Sequence, residues 1–99
     1  MLVHSVYFWL KKDLSQADRD AFLEGLGALS EINVVRSFAA GMPASTDRPV
    51  VEKSYDFALL VLLDDMEAHD VYQESALHQE FLGNFSSFWE KVVVYDFET

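Results

Sequence analysis

Residues 71–97 read VYQESALHQEFLGNFSSFWEKVVVYDF, and this stretch decides the fold. Leu77, Phe81, Phe85 and Phe88 recur at steps of three and four. That spacing predicts a helix near residues 76–88 with an apolar stripe, Leu82 and Trp89 lying at its edge. From Lys91 to Phe97 the β-branched and aromatic run KVVVYDF predicts a strand. At the head of the helical pattern stand a phenol, Tyr72, and an imidazole, His78. A break at Gln73–Ser75 separates the long helix from a shorter one that ends near Tyr72, with Asp64 or Asp65 as its N-cap.

Upstream, Tyr55–Leu63 (YDFALLVLL) is the most hydrophobic segment and reads as a strand. Alternation puts Tyr55, Phe57, Leu59, Val61 and Leu63 on one face and Ala58, Leu60 and Leu62 on the other. Residues 33–40 (NVVRSFAA) read as another strand, ended by Gly41. Between them, residues 42–54 hold two prolines and no clear period, which predicts a long exposed loop suited to a lid or a dimer arm. The first strand is residues 2–10, with His4, Val6, Phe8 and Leu10 on one face and Val3, Ser5, Tyr7 and Trp9 on the other. Both faces are largely apolar, unlike a strand with water on one side. Ser15 with Asp18 three residues on predicts a capped helix carrying Phe22, Leu26 and Leu29 inward. Gly25 and Gly27 weaken that helix, which points to close packing or to room for something else.

The element order is β-α-β-β-α-β with a divided second helix, an α+β ferredoxin-like layout with a four-stranded antiparallel sheet, expected as one domain over residues 1–99. Two helices cover one face of such a sheet. The other face would expose Tyr7, Trp9, Leu60 and Leu62 together, too much apolar surface for a monomer, so a face-to-face homodimer is expected. The composition agrees with a small core, since 51% of the 99 residues are hydrophobic and a short chain gains from a partner's surface. A net charge of −10 leaves no basic stripe for phosphates, so neither nucleic acid nor an anionic membrane is an expected partner. The absence of cysteine excludes disulfides and thiol chemistry. Met1 leads straight into the first strand without a basic leader, so a cytoplasmic location is expected.

Three segments carry a family resemblance: HSVYFWL at the start, Tyr72 with ALHQEF in the middle, and FWEKVVVYDF at the end. Together, at this spacing, they resemble the stress-responsive dimeric α/β barrel domain over essentially the whole chain. The resemblance implies a homodimer whose two sheets pack into a barrel with the helices outside. Most members of that family have no assigned reaction. An enzymatic member, a plant polyketide cyclase, performs an aldol cyclisation without a cofactor, using histidine and tyrosine as acid–base groups between sheet and helices. The matching positions here are His4, Tyr72 and His78. The family's H-P-x-H turn appears as Ser75-Ala76-Leu77-His78, without the first histidine and the proline.

The candidate catalytic residues are therefore His78, Tyr72 and His4, in a pocket expected to be lined by Val6, Phe8, Phe22, Leu59, Val61 and Phe81. Imidazole takes and returns a proton near neutrality, while a tyrosine stays protonated and polarises a carbonyl. On this reading His78 removes a proton next to a carbonyl, Tyr72 donates to the enolate oxygen, and His4 orients the substrate or shuttles the proton. No cofactor is expected. Nor is a metal, because His4 and His78 lack a third ligand at sensible spacing. His69, among Glu67, Asp70 and Glu74, reads as solvated. Two readings stay open: an acid–base enzyme or binder for a small apolar carbonyl compound, and a non-catalytic dimeric stress-response or interaction module with structural histidines. The first needs an open cavity beside Tyr72 and His78; the second predicts that aromatic side chains fill it.

Overall fold

The computed structural model describes all 99 residues. Its elements are β1 (Leu2–Leu10), α1 (Gln16–Ala28, followed by a 3₁₀ turn at Leu29–Glu31), β2 (Ser37–Gly41), β3 (Phe57–Leu63), α2 (Met66–Glu74), α3 (Ala76–Phe85, followed by a 3₁₀ turn at Ser86–Phe88) and β4 (Trp89–Glu98). The strands form one antiparallel sheet in the order β2-β3-β1-β4, the ferredoxin-like arrangement. No helix is long and apolar enough to cross a membrane.

Strand alternation decides which side chains meet the helices. On β1 these are Leu2, His4, Val6, Phe8 and Leu10, all buried, paired across β3 with Leu63, Val61, Leu59 and Phe57. Phe22 and Leu26 of α1, Tyr72 of α2 and Phe81 of α3 complete the same core. Burying one such side chain is worth roughly 1.5–3 kcal/mol, so this layer outweighs the modest helix-forming tendency of α1. Helix entry is fixed locally. Ser15 and Asp18 form a reciprocal capping box at α1, the Asp65 side chain accepts from Ala68 N–H at α2, and the Ser75 side chain accepts from His78 N–H at α3. Asp64 instead pairs with Arg36.

Three strand starts depart from the sequence-based expectation. β2 begins at Ser37 rather than Asn33, because Ile32 and Val35 close turns (Ile32 N–H to Leu29 O, Val35 N–H to Ile32 O) and Val34 and Val35 pack against the core from a loop. β3 begins at Phe57 rather than Tyr55; Asp56 N–H still donates to Phe8 O, while its carboxylate accepts from Leu10 N–H and Arg19. β4 starts two residues early, at Trp89, where a bulge beside Trp9 and Leu10 brings Trp89 opposite Leu10.

Gly25 has a packing role. A Cβ there would overlap the ring of Phe85, so α1 and α3 approach this closely only because residue 25 has no side chain. Around Gly27 there is open space.

The outer face of the sheet carries Tyr7, Trp9, Leu60 and Leu62, joined by Tyr95 and Phe97 of β4, which are 64% and 57% exposed. The rings of Tyr55, Tyr7 and Tyr95 contact one another in turn, and the Lys91 ammonium lies 4.5 Å from the centre of the Trp9 ring. Residues 42–56 hold no helix or strand, and the loop is tied to this face by a hydrogen bond from Trp9 Nε1 to Ser54. On the opposite face, α1 packs toward β2 and α2 toward β3. The helix-side residues of the edge strand β4, Val92, Val94 and Asp96, therefore remain exposed.

Candidate functional site

His4 enters the site from the buried face of β1, only 4% exposed. The register of β1 against β4 sets Asp96 directly opposite it, and His4 Nδ1 lies 2.6 Å from Asp96 Oδ1. A carboxylate only accepts, so Nδ1 carries the proton and the other ring nitrogen of a neutral His4 holds a free lone pair. Burial lowers the His4 pKa against the opposing pull of Asp96, which keeps the ring neutral near pH 7.

The short helix α2 presents His69 and Tyr72, three residues apart, on one face. The His69 ring edges onto His4 at 5.2 Å between centres, and Tyr72 meets the same imidazole at 5.8 Å. Ser75 then turns the chain. Its N–H and its hydroxyl both donate to Tyr72 O, while its Oγ accepts from His78 N–H at 3.2 Å. One residue thus ends α2, starts α3 and fixes the two rings beside each other, 5.2 Å apart and 67° from coplanar. The result is a row of four rings in contact, His69–His4–Tyr72–His78.

Electrostatics sorts their roles. Burial raises the Tyr72 pKa, and no hydrogen bond opposes it, so the phenol is a held donor. Burial, then the nearby His4 and His69, lowers the His78 pKa, so this imidazole also stays neutral near pH 7. Its Nδ1 is buried with no hydrogen-bond partner. Leaving such an atom unpaired costs about 1–3 kcal/mol, so this nitrogen is open to a donor that enters the cavity.

His4, Tyr72 and His78 all border one cavity of about 180 Å³, with Gln73 as a further polar group. Its apolar wall includes Val6, Phe8, Leu59, Phe81, Leu82 and Trp89, completed by the partly exposed Val92 and Val94 of β4. Of the expected lining residues, Val6, Phe8, Leu59 and Phe81 are in place. Phe22 and Val61 are not: both are 0% exposed and belong to the core beneath. A larger depression of about 300 Å³ on the outer sheet face is lined by Ser5, Tyr7, Ala39, Ala40, Gly41, Met42, Ala58, Leu59 and Leu60. It is lined by neither imidazole nor carboxylate; those groups border the cavity on the helix side.

Two neighbours of the site escaped the sequence reading. His69 is not on a solvated face; its side chain is only 15% exposed and it touches His4. Its spacing of three from Tyr72 was the available signal. Asp96, 92 residues from His4, was legible only as the helix-side member of the alternation Val92, Val94, Asp96. The histidine pair considered for a metal, His4 with His78, is not the grouping that forms; His4, His69 and Asp96 are the three that converge.

Solved structures with this fold span nearly the whole chain. A dimeric ferredoxin-like protein of unknown function from Thermobifida fusca aligns with a TM-score of 0.81 at 20% identity, covering 99% of this chain and 90% of that one. A Dabb family protein from Mesorhizobium loti gives 0.80 at 23% identity, covering 99% and 95%. Hydroxynitrile lyase from Passiflora edulis gives 0.79 at 24% identity, covering 97% and 90%. At such identities these likenesses are likenesses of fold. No curated protein matches the chain. The model of one protein family, the Stress responsive A/B Barrel Domain, matches residues 2–99, and the chain belongs to that family.

Proposed function

We propose that the chain acts as a homodimer, joined through its outer sheet face, and binds a small apolar carbonyl compound in the cavity beside Tyr72 and His78. There it carries out cofactor-independent acid–base chemistry of a cyclase or isomerase kind. The observation that carries this reading is the convergence of His4, Tyr72 and His78 on one open cavity. The non-catalytic alternative predicts a cavity filled by aromatic side chains, and about 180 Å³ of unfilled space speaks against it.

His78 is placed to remove a proton from a carbon next to the carbonyl. As negative charge moves to the oxygen, the Tyr72 hydroxyl stabilises it by donating a hydrogen bond from a mostly apolar wall. His4, held by Asp96 with a lone pair free, receives or returns the proton. No lysine or arginine borders the cavity, which favours an uncharged ligand over a carboxylate or phosphate. Dimerisation is supported by the exposed face of Tyr7, Trp9, Leu60, Leu62, Tyr95 and Phe97 and by the dimeric descriptions of the fold neighbours.

The test follows deuterium exchange next to the carbonyl of small ketone probes by NMR. The wild type should accelerate exchange, and His78→Ala and Tyr72→Phe should each lose most of that acceleration. Exchange that is unaccelerated, or indifferent to both substitutions, would overturn the acid–base reading. For the dimer, sedimentation should show two chains in the wild type and one in Leu60→Asp; a monomeric wild type at micromolar concentration would sink that part.

A further inference from the structure

We propose that His4, His69 and Asp96 form a binding site for one divalent transition-metal ion of the zinc, cobalt or nickel kind, at the rim of the cavity. The three residues come from β1, α2 and β4, and one ligand atom of each lies within 4.8 Å of the others. Two imidazoles and one carboxylate form a donor set that borderline metals favour, whereas magnesium and calcium favour an all-oxygen set. Bonds of about 2.1 Å to a tetrahedral ion place ligand atoms roughly 3.4 Å apart, so the 2.6 Å pair of His4 and Asp96 need open by about 0.8 Å and no pair need close by more than about 1.4 Å.

The surroundings suit such an ion. His4 is almost fully buried and fixed by the sheet, His69 is mostly buried, and Asp96 is the more exposed ligand, its side chain 35% accessible, which leaves a path for entry. The ring nitrogen of His69 that does not ligate has a neighbour ready: Nδ1 lies 3.4 Å from Asp70 Oδ1, and Nε2 lies 3.5 Å from the Gln73 amide. Such outer partners orient ligating imidazoles. Two imidazoles packed in a T beside a carboxylate otherwise share a single hydrogen bond among the three, the one from His4 to Asp96.

Binding has a chemical consequence for His4. The ion takes the Nδ1 lone pair, and the proton formerly on Nδ1 moves through solvent to Nε2. The ring stays neutral, but its remaining nitrogen changes from acceptor to donor. A loaded site therefore removes His4 from proton transfer without altering the cavity wall.

Isothermal titration calorimetry of the full chain with Zn²⁺, and visible absorption with Co²⁺, test the site. One ion per chain is expected. His69→Ala and Asp96→Asn should each weaken binding by more than about tenfold, the loss that even outer-shell changes bring, while His78→Ala leaves it unchanged. In the unsubstituted protein Co²⁺ should broaden the imidazole NMR signals of His4 and His69 most, a readout independent of whether variants fold. Absent binding, or binding with the same affinity in His69→Ala and Asp96→Asn, or broadening elsewhere, overturns the proposal. Proton exchange at a ketone probe, measured without metal, reports the acid–base reading separately.

Discussion

Replacing Gly25 and Gly27, one at a time, by alanine isolates what close packing of α1 on α3 contributes. Each substitution gains up to about 1 kcal/mol of helix propensity. At Gly27 nothing lies within 4 Å of the new Cβ, so that gain should appear as added stability. At Gly25 the Cβ overlaps the Phe85 ring, and the ring is hemmed in by Phe22, Phe81 and Phe88 at 5.8, 5.4 and 5.2 Å between centres. It cannot swing aside without disturbing three neighbours, so the overlap should cost about 1–3 kcal/mol as overpacking. Gly25→Ala should therefore unfold more easily than Gly27→Ala by that amount. In a domain of this size each kcal/mol is roughly 4–8 °C in melting temperature. Paired thermal and urea melts measure the difference, and Phe85→Leu should relieve it if the ring is the cause. Equal stability of the two alanine variants would refute the reasoning and mean that Phe85 is loosely held. The outcome bears on the site, since α3 also carries His78 and Phe81 into the cavity.

Ser75→Ala removes the cap of α3 and the hydroxyl bond to Tyr72 O; it should cost about 1 kcal/mol in urea melts and loosen the contact between Tyr72 and His78, visible as changed ring NMR shifts. Tyr72→Phe should leave stability within about 1 kcal/mol of wild type, because no hydrogen bond is lost from the buried hydroxyl; a larger loss would reveal a partner for it. The pH dependence has a definite sign. Burial lowers the His78 pKa below its ordinary 6.5, so as pH falls the unfolded chain takes the proton first. Stability should be full above about pH 6.5, decline below it and level off once the folded-state value has been passed. His78→Gln should reduce that decline in denaturant melts, His4 supplying the remainder, and an unchanged slope would refute the assignment.

Much of the fold was legible because burial enforces period. The alternation of β1 and β3 and the stripe of α3 each specify one inward face, and the Ser15 capping box marks a helix start by local chemistry. Val34 and Val35 misled because β-branched residues suit a strand equally well and a loop packed on the core. His4, Tyr72 and His78 were grouped by the family resemblance, with a topology that lets all three reach one space. Phe22 and Val61 could not be told from cavity-lining residues, since both kinds point inward and only packing depth separates them. Asp96 and His69 were hidden for different reasons. The pairing of Asp96 depends on strand register, which no local pattern encodes. His69 sits among carboxylates on a two-turn helix, where composition suggests a wet surface that the sheet in fact covers.

The bond from His4 to Asp96 joins the first strand to the last, and Thr99 N–H closes on Met1 O beside it. Translation makes these ends at opposite times. While the ribosome extends the chain, His4 waits without its carboxylate, and the groove beside Tyr72 lacks the wall that Val92 and Val94 provide. Segments that emerge early can collapse on one another first, but the pairing of His4 with Asp96 forms only when β4 docks. A nascent or truncated chain without that strand therefore lacks both the carboxylate and part of the cavity lining even where its helices have formed, and β4 is the element that completes the assembly.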